Sequence, residues 1–486
     1  MRLSKLFKNA PTVNITGLCL DSRKVKKGDM YFCLPGMTFD GHDFIPQAIE
    51  KGAIAIVHSK DIIDKLPGVI YIQVEDVTAC MNQCARLFYS KPSDKMTMYG
   101  ITGTNGKSSC ANIIKYIRDL KEPCGYIGTI AIEYGKVRIA PDLTTPDTLF
   151  LQRKLSDMVR AGMKSCALEV SSHGLSQHRV DGIRFDVAIF TNLTYDHLDF
   201  HGTIENYFEA KSILFKELVK EDGVSILNID DDRYEDLKEC SKARVVSYGI
   251  EQNCDYRAIN IHENAKSTSF DLVYKGQKYP VKTSLVARYN VYNLLACIAA
   301  LHETGMSLPV ILQSCTKIPQ IDGRMEQIEC GQPFHVVVDF AHTPDGMEQM
   351  LRYGRQVAAD KGRVITVFGS AGKRDIAKRK VFGELADKYA DLIILTEDDP
   401  RDENPKDIAN QIKEGIQNKP NLFVEDRYEA IRQAIDNASK GDVVLILGKG
   451  DEPFMYHESG RVPWTGDNIC ALECLKASGY GENNNS

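Results

Sequence analysis

Short apolar runs of strand length alternate, from one end of this chain to the other, with longer stretches whose apolar residues recur at helical spacing. That alternation predicts parallel sheets covered by helices, an α/β protein. Residues 30–34, 53–57 and 69–74 read as strands and 79–89 as an amphipathic helix. The polar segment 90–95 follows, and Pro92 within it disfavours continued helix, so a boundary falls near residue 95. A new pattern opens with a strand over 97–101, a glycine-rich turn, and a helix whose apolar face carries Ile113, Ile114, Ile117 and Leu120. Pro319 and Gly323 interrupt the pattern again and place the next boundary near 325. Beyond it, 336–339, 364–368, 392–396 and 443–447 are strand candidates separated by helical segments.

The 486 residues suffice for about three domains, here 1–95, 96–325 and 326–486. The third pattern resembles a Rossmann-like sheet, whose functional residues lie in loops after the carboxyl ends of strands; 369–372, 397–400 and 448–450 occupy such places. The polar tail 479–486 is expected to be disordered. A net charge of −6 argues against a nucleic-acid partner. No apolar run approaches the roughly 18 residues of a membrane helix, so no membrane partner is expected. The segment Met1–Lys8 lacks the apolar core of a secretory signal, which points to the cytoplasm and to reduced thiols for the 14 cysteines. Cys80 and Cys84, like Cys470 and Cys474, are four apart, yet no further ligand at zinc-finger spacing completes a site.

The most specific motif is Gly100-Ile101-Thr102-Gly103-Thr104-Asn105-Gly106-Lys107-Ser108-Ser109, between a strand and a helix as a phosphate-binding loop requires. Glycines let backbone N–H groups converge on phosphate oxygens, Lys107 adds a mobile cation, and Ser108 offers a hydroxyl to Mg²⁺. The strict P-loop pattern would have Gly where this chain has Ile101. Glu169 sits in an apolar strand, a costly place for a carboxylate unless a cation meets it. The strand over 186–190 leads into Thr191-Asn192-Leu193-Thr194-Tyr195-Asp196-His197-Leu198-Asp199, dense in metal-competent and proton-transferring groups.

Together with Glu169-Val170-Ser171-Ser172-His173-Gly174-Leu175, Gln177-His178-Arg179-Val180, Gly323-Arg324-Met325-Glu326 and Asp339-Phe340-Ala341-His342-Thr343-Pro344-Asp345, these segments resemble the Mur ligase family over essentially the whole chain. The resemblance is to the branch that adds a diamino acid to UDP-N-acetylmuramoyl-L-alanyl-D-glutamate. It implies an N-terminal UDP-sugar-binding domain, a central P-loop ATPase domain and a C-terminal Rossmann-like domain that binds the amino acid. It further implies a monomer whose partners are small-molecule substrates: the UDP-muramoyl dipeptide, a diamino acid and ATP. Gly103, Thr104, Asn105, Gly106, Lys107, Ser108 and Ser109 would hold the ATP phosphates, with Asn290 and Asn293 on the adenine side and Arg324, Asp339 and His342 reaching from the third domain. Ser108, Glu169, His197 and a CO2-derived carbamate on Lys211 would serve Mg²⁺, with Lys107, Glu169, His197 and Lys211 as the catalytic set. A desolvated lysine is a neutral amine that can add CO2, and the resulting anion supports a cation that an ammonium would repel. Cations between the oxygens would relieve the repulsion when a substrate carboxylate attacks the γ-phosphate, giving an acyl phosphate.

By the same resemblance Leu20, Ser22, Thr144, Thr145, Ser171, Gln177 and Arg179 would bind the UDP-muramoyl dipeptide, and Arg374, Asp398, Asp399, Arg401, Gly448 and Glu452 the amino acid. The family's Asp-Asn-Pro-Arg reads here Asp398-Asp399-Pro400-Arg401, and Asp451 stands where a His is usual. Arg401 suits the distal carboxylate of meso-diaminopimelate, whereas Asp399 could take the distal ammonium that lysine shares, so L-lysine remains an alternative. Two other readings stand beside these. One is a folylpolyglutamate synthase-like ligase, which lacks the N-terminal unit. The other is an ATP-binding interaction protein without ligation.

Overall fold

The computed structural model describes residues 1–36, 39–358 and 362–481; the end of the tail expected to be disordered lies outside the described residues. Three principal sheets follow one another along the chain. The first has four parallel strands, Gly17–Cys19, Asp29–Phe32, Ala55–His58 and Ile70–Gln73. Its helix Val77–Phe88 is capped by Asp76, whose carboxylate accepts from the Ala79 N–H at 2.9 Å. Met30, Phe32, Ala55 and Val57 on one face and Val77, Met81 and Ala85 of this helix close the apolar layer.

The second sheet has eleven strands. At its middle, Val219–Asn228, Phe185–Phe190, Thr97–Thr102, Ser165–Glu169 and Cys124–Ile127 run parallel, so the loops after their carboxyl ends share one edge. The patterning did not anticipate the antiparallel extensions at either side. Tyr256–Glu263, Thr268–Tyr274 and Gln277–Thr283 form one, and Ile132–Tyr134 with Val137–Ile139 the other. The helices Lys107–Asp119 and Arg288–Glu303 lie together on one face, with Ile113, Ile114, Ile117, Leu294 and Ile298 fully buried. Leu120, read as part of that apolar face, is instead the half-exposed residue that ends the helix.

The third sheet has the order Glu326–Gln327, His335–Asp339, Val443–Leu447, Val364–Phe368, Leu392–Leu395, Asn421–Phe423, parallel except for its first strand. Phe454–His457 and Gly460–Pro463 add a separate hairpin that the apolar pattern did not single out. No described helix is long and apolar enough to cross a membrane.

One ion pair ties the carboxyl ends of this sheet together. Arg427 and Asp467 are fully buried; the guanidinium donates to both carboxylate oxygens at 2.7 Å, to Glu397 O at 3.1 Å and to Leu447 O at 2.9 Å. It therefore holds the loops that begin at Asp398 and Gly448. Removing one partner strands a buried charge, so Arg427→Ala is expected to cost about 3–5 kcal/mol by urea unfolding. Arg427→Met combined with Asp467→Leu should recover most of that loss.

Candidate active site

The phosphate loop joins Thr97–Thr102 to Lys107–Asp119. Gly106 has φ +87°, and a Cβ there would lie 2.4 Å from Asn293 Oδ1; one on Gly103 would lie 1.8 Å from Thr191 Oγ1. Ile101 is fully buried within the strand, so the departure from the strict pattern falls before the loop begins. Lys107 Nζ donates to Gly103 O at 3.0 Å and Thr104 O at 2.8 Å. Thr104 and Asn105 are braced by the loop after Phe185–Phe190: the Thr104 N–H donates to Asn192 O and the Asn105 N–H to Asn192 Oδ1.

Glu169 ends its strand completely buried. Its Oε2 accepts from Ser108 Oγ at 2.9 Å, and its Oε1 from Tyr126 OH at 2.6 Å and the Thr129 N–H at 3.0 Å. Donors thus compensate the buried charge, and Tyr126 and Thr129, which carry no motif signal, do much of it. Lys211, on the helix Ile204–Ile213, is 1% exposed; its Nζ donates to the same Gly103 O at 2.8 Å and lies 4.3 Å from the centre of the Tyr207 ring. Burial, and then the nearby Lys107 ammonium, push the Lys211 amine well below its ordinary range. Burial lowers Lys107 as well.

His197 follows Asp196, and its Nε2 lies 3.3 Å from Asp196 Oδ2. Burial pushes the imidazole down to about 3, against the opposing pull of Asp196. His173 packs edge-on against it, 4.9 Å between ring centres. Asp196 also faces His342, whose Nε2 is 3.9 Å away. Lys107, Ser108, Glu169, His197 and Lys211 all line one cavity of about 610 Å³, which Asn293, Arg324, Asp339 and His342 also line. Asn290 stands one layer behind, accepting from Asn293 Nδ2 at 3.0 Å. Asp339 accepts from the Met325 and Ala341 N–H groups at 2.7 and 2.8 Å. The third sheet reaches this cavity through Asn105 Nδ2, which donates to Asp345 Oδ2 at 2.9 Å, and through Arg324, which donates to Ser108 Oγ at 3.3 Å.

A second cavity of about 540 Å³ adjoins the first and collects Arg374, Asp398, Asp399, Arg401, Gly448 and Glu452. One oxygen of Asp399 is already engaged: its Oδ1 accepts from Lys449 Nζ at 2.8 Å and from the Tyr456 N–H at 3.0 Å. Lys449, 1% exposed, also pairs with Glu452, whose carboxyl burial raises to about 7. Arg401 donates to Gly372 O at 2.6 Å, and Arg374 reaches across to Asp199 at 3.3 Å instead of forming a clamp with Glu452.

Thr144 borders both cavities, 3.0 Å from Thr129 Oγ1. Thr145 donates to Glu169 O at 2.8 Å and to Ser171 Oγ at 3.0 Å, and Arg179 donates to Thr145 O at 2.9 Å while pairing with Gln177. Leu20 and Ser22 are in the first sheet's layer, outside the linings of both cavities. Leu20 packs into its apolar core, and Ser22 Oγ donates to Gln47 Oε1 at 2.5 Å.

The walls fit a polyanion with a divalent ion. Arg324 Nε is buried with no partner, and the amines of Lys107 and Lys211 donate only to carbonyls, so none of the three has a carboxylate hydrogen-bond partner. Ser108 and Glu169 supply hard oxygen donors. Among the described residues no group of three or more His, Cys, Asp or Glu surrounds a single point.

Comparison with known proteins gives three family matches in order along the chain. They are "Mur ligase family, catalytic domain" over residues 14–89, "Mur ligase middle domain" over 101–301, and "Mur ligase, glutamate ligase domain" over 323–450. UDP-N-acetylmuramoyl-L-alanyl-D-glutamate–2,6-diaminopimelate ligase 1 of Clostridium acetobutylicum is 42% identical over 448 residues, covering 91% of each chain. A solved structure of a UDP-N-acetylmuramoyl-L-alanyl-D-glutamate–2,6-diaminopimelate ligase superposes with a TM-score of 0.71 at 29% identity, covering 98% of this chain and 99% of that one. The fold also matches a MurF ligase from Thermotoga maritima in complex with ADP, with a TM-score of 0.67 at 19% identity over 95% of this chain and 97% of that one. A phosphate loop facing a cation-lined wall from the third sheet, together with identity sustained across nine-tenths of a relative's length, places this chain in the Mur ligase family.

Proposed function

We propose that this chain is an ATP-dependent ligase that joins meso-diaminopimelate to UDP-N-acetylmuramoyl-L-alanyl-D-glutamate, as its relatives' names describe for them. It works as a cytoplasmic monomer, with 1–95 binding the UDP-sugar, 96–325 the ATP and 326–486 the amino acid. The observation that carries this reading is the junction of the two cavities: Thr144, Asp196, His197, Arg324, His342 and Glu452 line both, so a phosphorylated acyl group held on one side faces an amine held on the other.

Lys107 and the N–H groups at the start of its helix bind and orient the triphosphate, and Arg324 closes over it from the third sheet. Ser108, Glu169 and His197 would hold Mg²⁺, which would supply the positive charge that lets the anionic oxygens approach one another. Thr144, Thr145, Ser171 and Arg179 present the peptide carboxylate, with Ser22 and Leu20 at the distant uridine end. That carboxylate attacks the γ-phosphorus, ADP leaves, and amine attack on the acyl phosphate forms the amide and releases phosphate. Burial and the neighbouring Lys107 shift Lys211 towards the neutral amine, which suits it to carry a carbamate whose negative charge faces the cation site. With one Asp399 oxygen held by Lys449, Arg401 on the wall of the second cavity is the group we assign to the distal carboxylate, which favours diaminopimelate over L-lysine. The first-unit match over 14–89 weighs against the folylpolyglutamate synthase-like reading.

Phosphate release is expected only when both the UDP-dipeptide and diaminopimelate are present; release without either would sink the ligase reading. Incubation with ¹³C-bicarbonate should give a carbamate resonance in the wild type that Lys211→Ala lacks, with turnover in that variant down by at least about 100-fold. Arg401→Ala should raise the KM for diaminopimelate by about 10- to 100-fold, the scale of one charged hydrogen bond, and leave weak lysine turnover unaltered.

A further inference from the structure

Amide formation from an acyl phosphate leaves one proton too many on nitrogen, and the ligase reading above, on which this inference rests, assigns no group to take it. The residues at the junction of the two cavities narrow the choice. Glu452 is engaged by Lys449. Asp196 already accepts from the His197 N–H at 2.9 Å, and its other oxygen faces two imidazoles. His197 lies with its Nε2 3.3 Å from that same oxygen. Arg324 and Thr144 are not bases at neutral pH.

His342 differs from all of these. Its Nδ1 lies 2.8 Å from Phe340 O, and a carbonyl can only accept, so the ring proton is on Nδ1 and Nε2 carries a lone pair. That Nε2 is 3.9 Å from Asp196 Oδ2, too far for a hydrogen bond that would occupy it and near enough to stabilise the imidazolium once it forms. The side chain is 39% exposed and borders both cavities. Its backbone is held too: His342 O accepts from Lys378 Nζ at 3.0 Å. The charged and titratable groups around it are Asp196, Lys378 and Arg324, with His197 beyond Asp196; desolvation lowers the imidazole to about 4, against the opposing pull of Asp196.

We propose that His342 is the general base of the amide-forming step, taking its proton through Nε2. The neutral amine of the diamino acid attacks the acyl carbon, and a C–N bond forms as the carbonyl electrons move to oxygen. The nitrogen, now positively charged and acidic, passes one proton to His342 Nε2. The carbonyl re-forms, the C–O bond to phosphate breaks, and inorganic phosphate leaves with the electron pair. The imidazolium, held between Phe340 O and Asp196, returns its proton to water as the product departs.

Hydroxylamine tests this, because the nitrogen it places on the acyl carbon is far more acidic than that of an alkyl amine and gives its proton to water, so hydroxamate forms with little need of an enzymic base. Wild type and His342→Asn, whose amide can still donate to Phe340 O, are each given ATP and UDP-dipeptide with either diaminopimelate or hydroxylamine. The expected result is that the ratio of tripeptide to hydroxamate formed falls by about 10²–10⁴-fold in the variant, whatever loss at the nucleotide site the two reactions share. Equal loss of both products would overturn the proposal and make His342 a nucleotide-side residue. Retention of both would overturn it by showing that no base is needed there. A wild type that forms no UDP-dipeptide-dependent hydroxamate refutes the ligase reading itself, and hydroxamate formation by the variant shows that it is folded.

Discussion

Two ammonium groups meet at one carbonyl. Lys107 and Lys211 both donate to Gly103 O in a buried hollow, and neither has a carboxylate hydrogen-bonded to it. Like charges so placed raise each other's energy, and burial adds to the cost, so the arrangement is tolerable only if one amine gives up its proton or an anion arrives. The structure around it supports both outcomes. Lys211 is shifted well towards the neutral amine, and the cavity in front of Lys107 is bounded by Arg324, whose Nε is still without a partner. The hollow stores unfavourable electrostatics that a polyphosphate relieves, which couples ligand binding to its own chemistry.

The same logic explains why the chain needs its third sheet close to its second. Asp345 reaches Asn105, Arg324 reaches Ser108, and Arg374 reaches Asp199. Asn105 and Ser108 belong to the phosphate loop and the start of its helix, whereas Asp199 lies on the wall of the second cavity. Beside these polar contacts, Val286, Ala287 and Tyr289 pack against Met347 and Met350, so the seam is part polar and part apolar. The buried Arg427–Asp467 pair lies behind this edge and ties its loops together.

Much of this was legible in the residues themselves. Lys107, Ser108, Glu169, His197 and Lys211, picked out by motif, do line one cavity. What the motifs concealed was partnership. Asp399 looked available to a substrate ammonium, yet Lys449 holds one of its oxygens, and Arg374 turns to Asp199 where a clamp with Glu452 had been expected. Tyr126 and Thr129 satisfy the Glu169 carboxylate without any sequence signature, because a hydroxyl or an N–H becomes a site group only through where the chain places it. The antiparallel strands over 256–283 were missed because their alternating faces, half of them solvent-exposed, give a weaker signal than a fully buried parallel strand.

By itself the sequence determined the α/β class, the position of the phosphate loop and the chemical types gathered near it, since these follow from local periodicity and from short motifs whose backbone geometry demands particular residues. Tertiary structure alone decided which charges are paired and which are left open, that the two hollows share a wall, and that His342 stands on that wall with no hydrogen bond to its Nε2. The physical reason is that a charge's protonation and reach depend on neighbours brought from hundreds of residues away, and no local pattern encodes the solvent that folding removes.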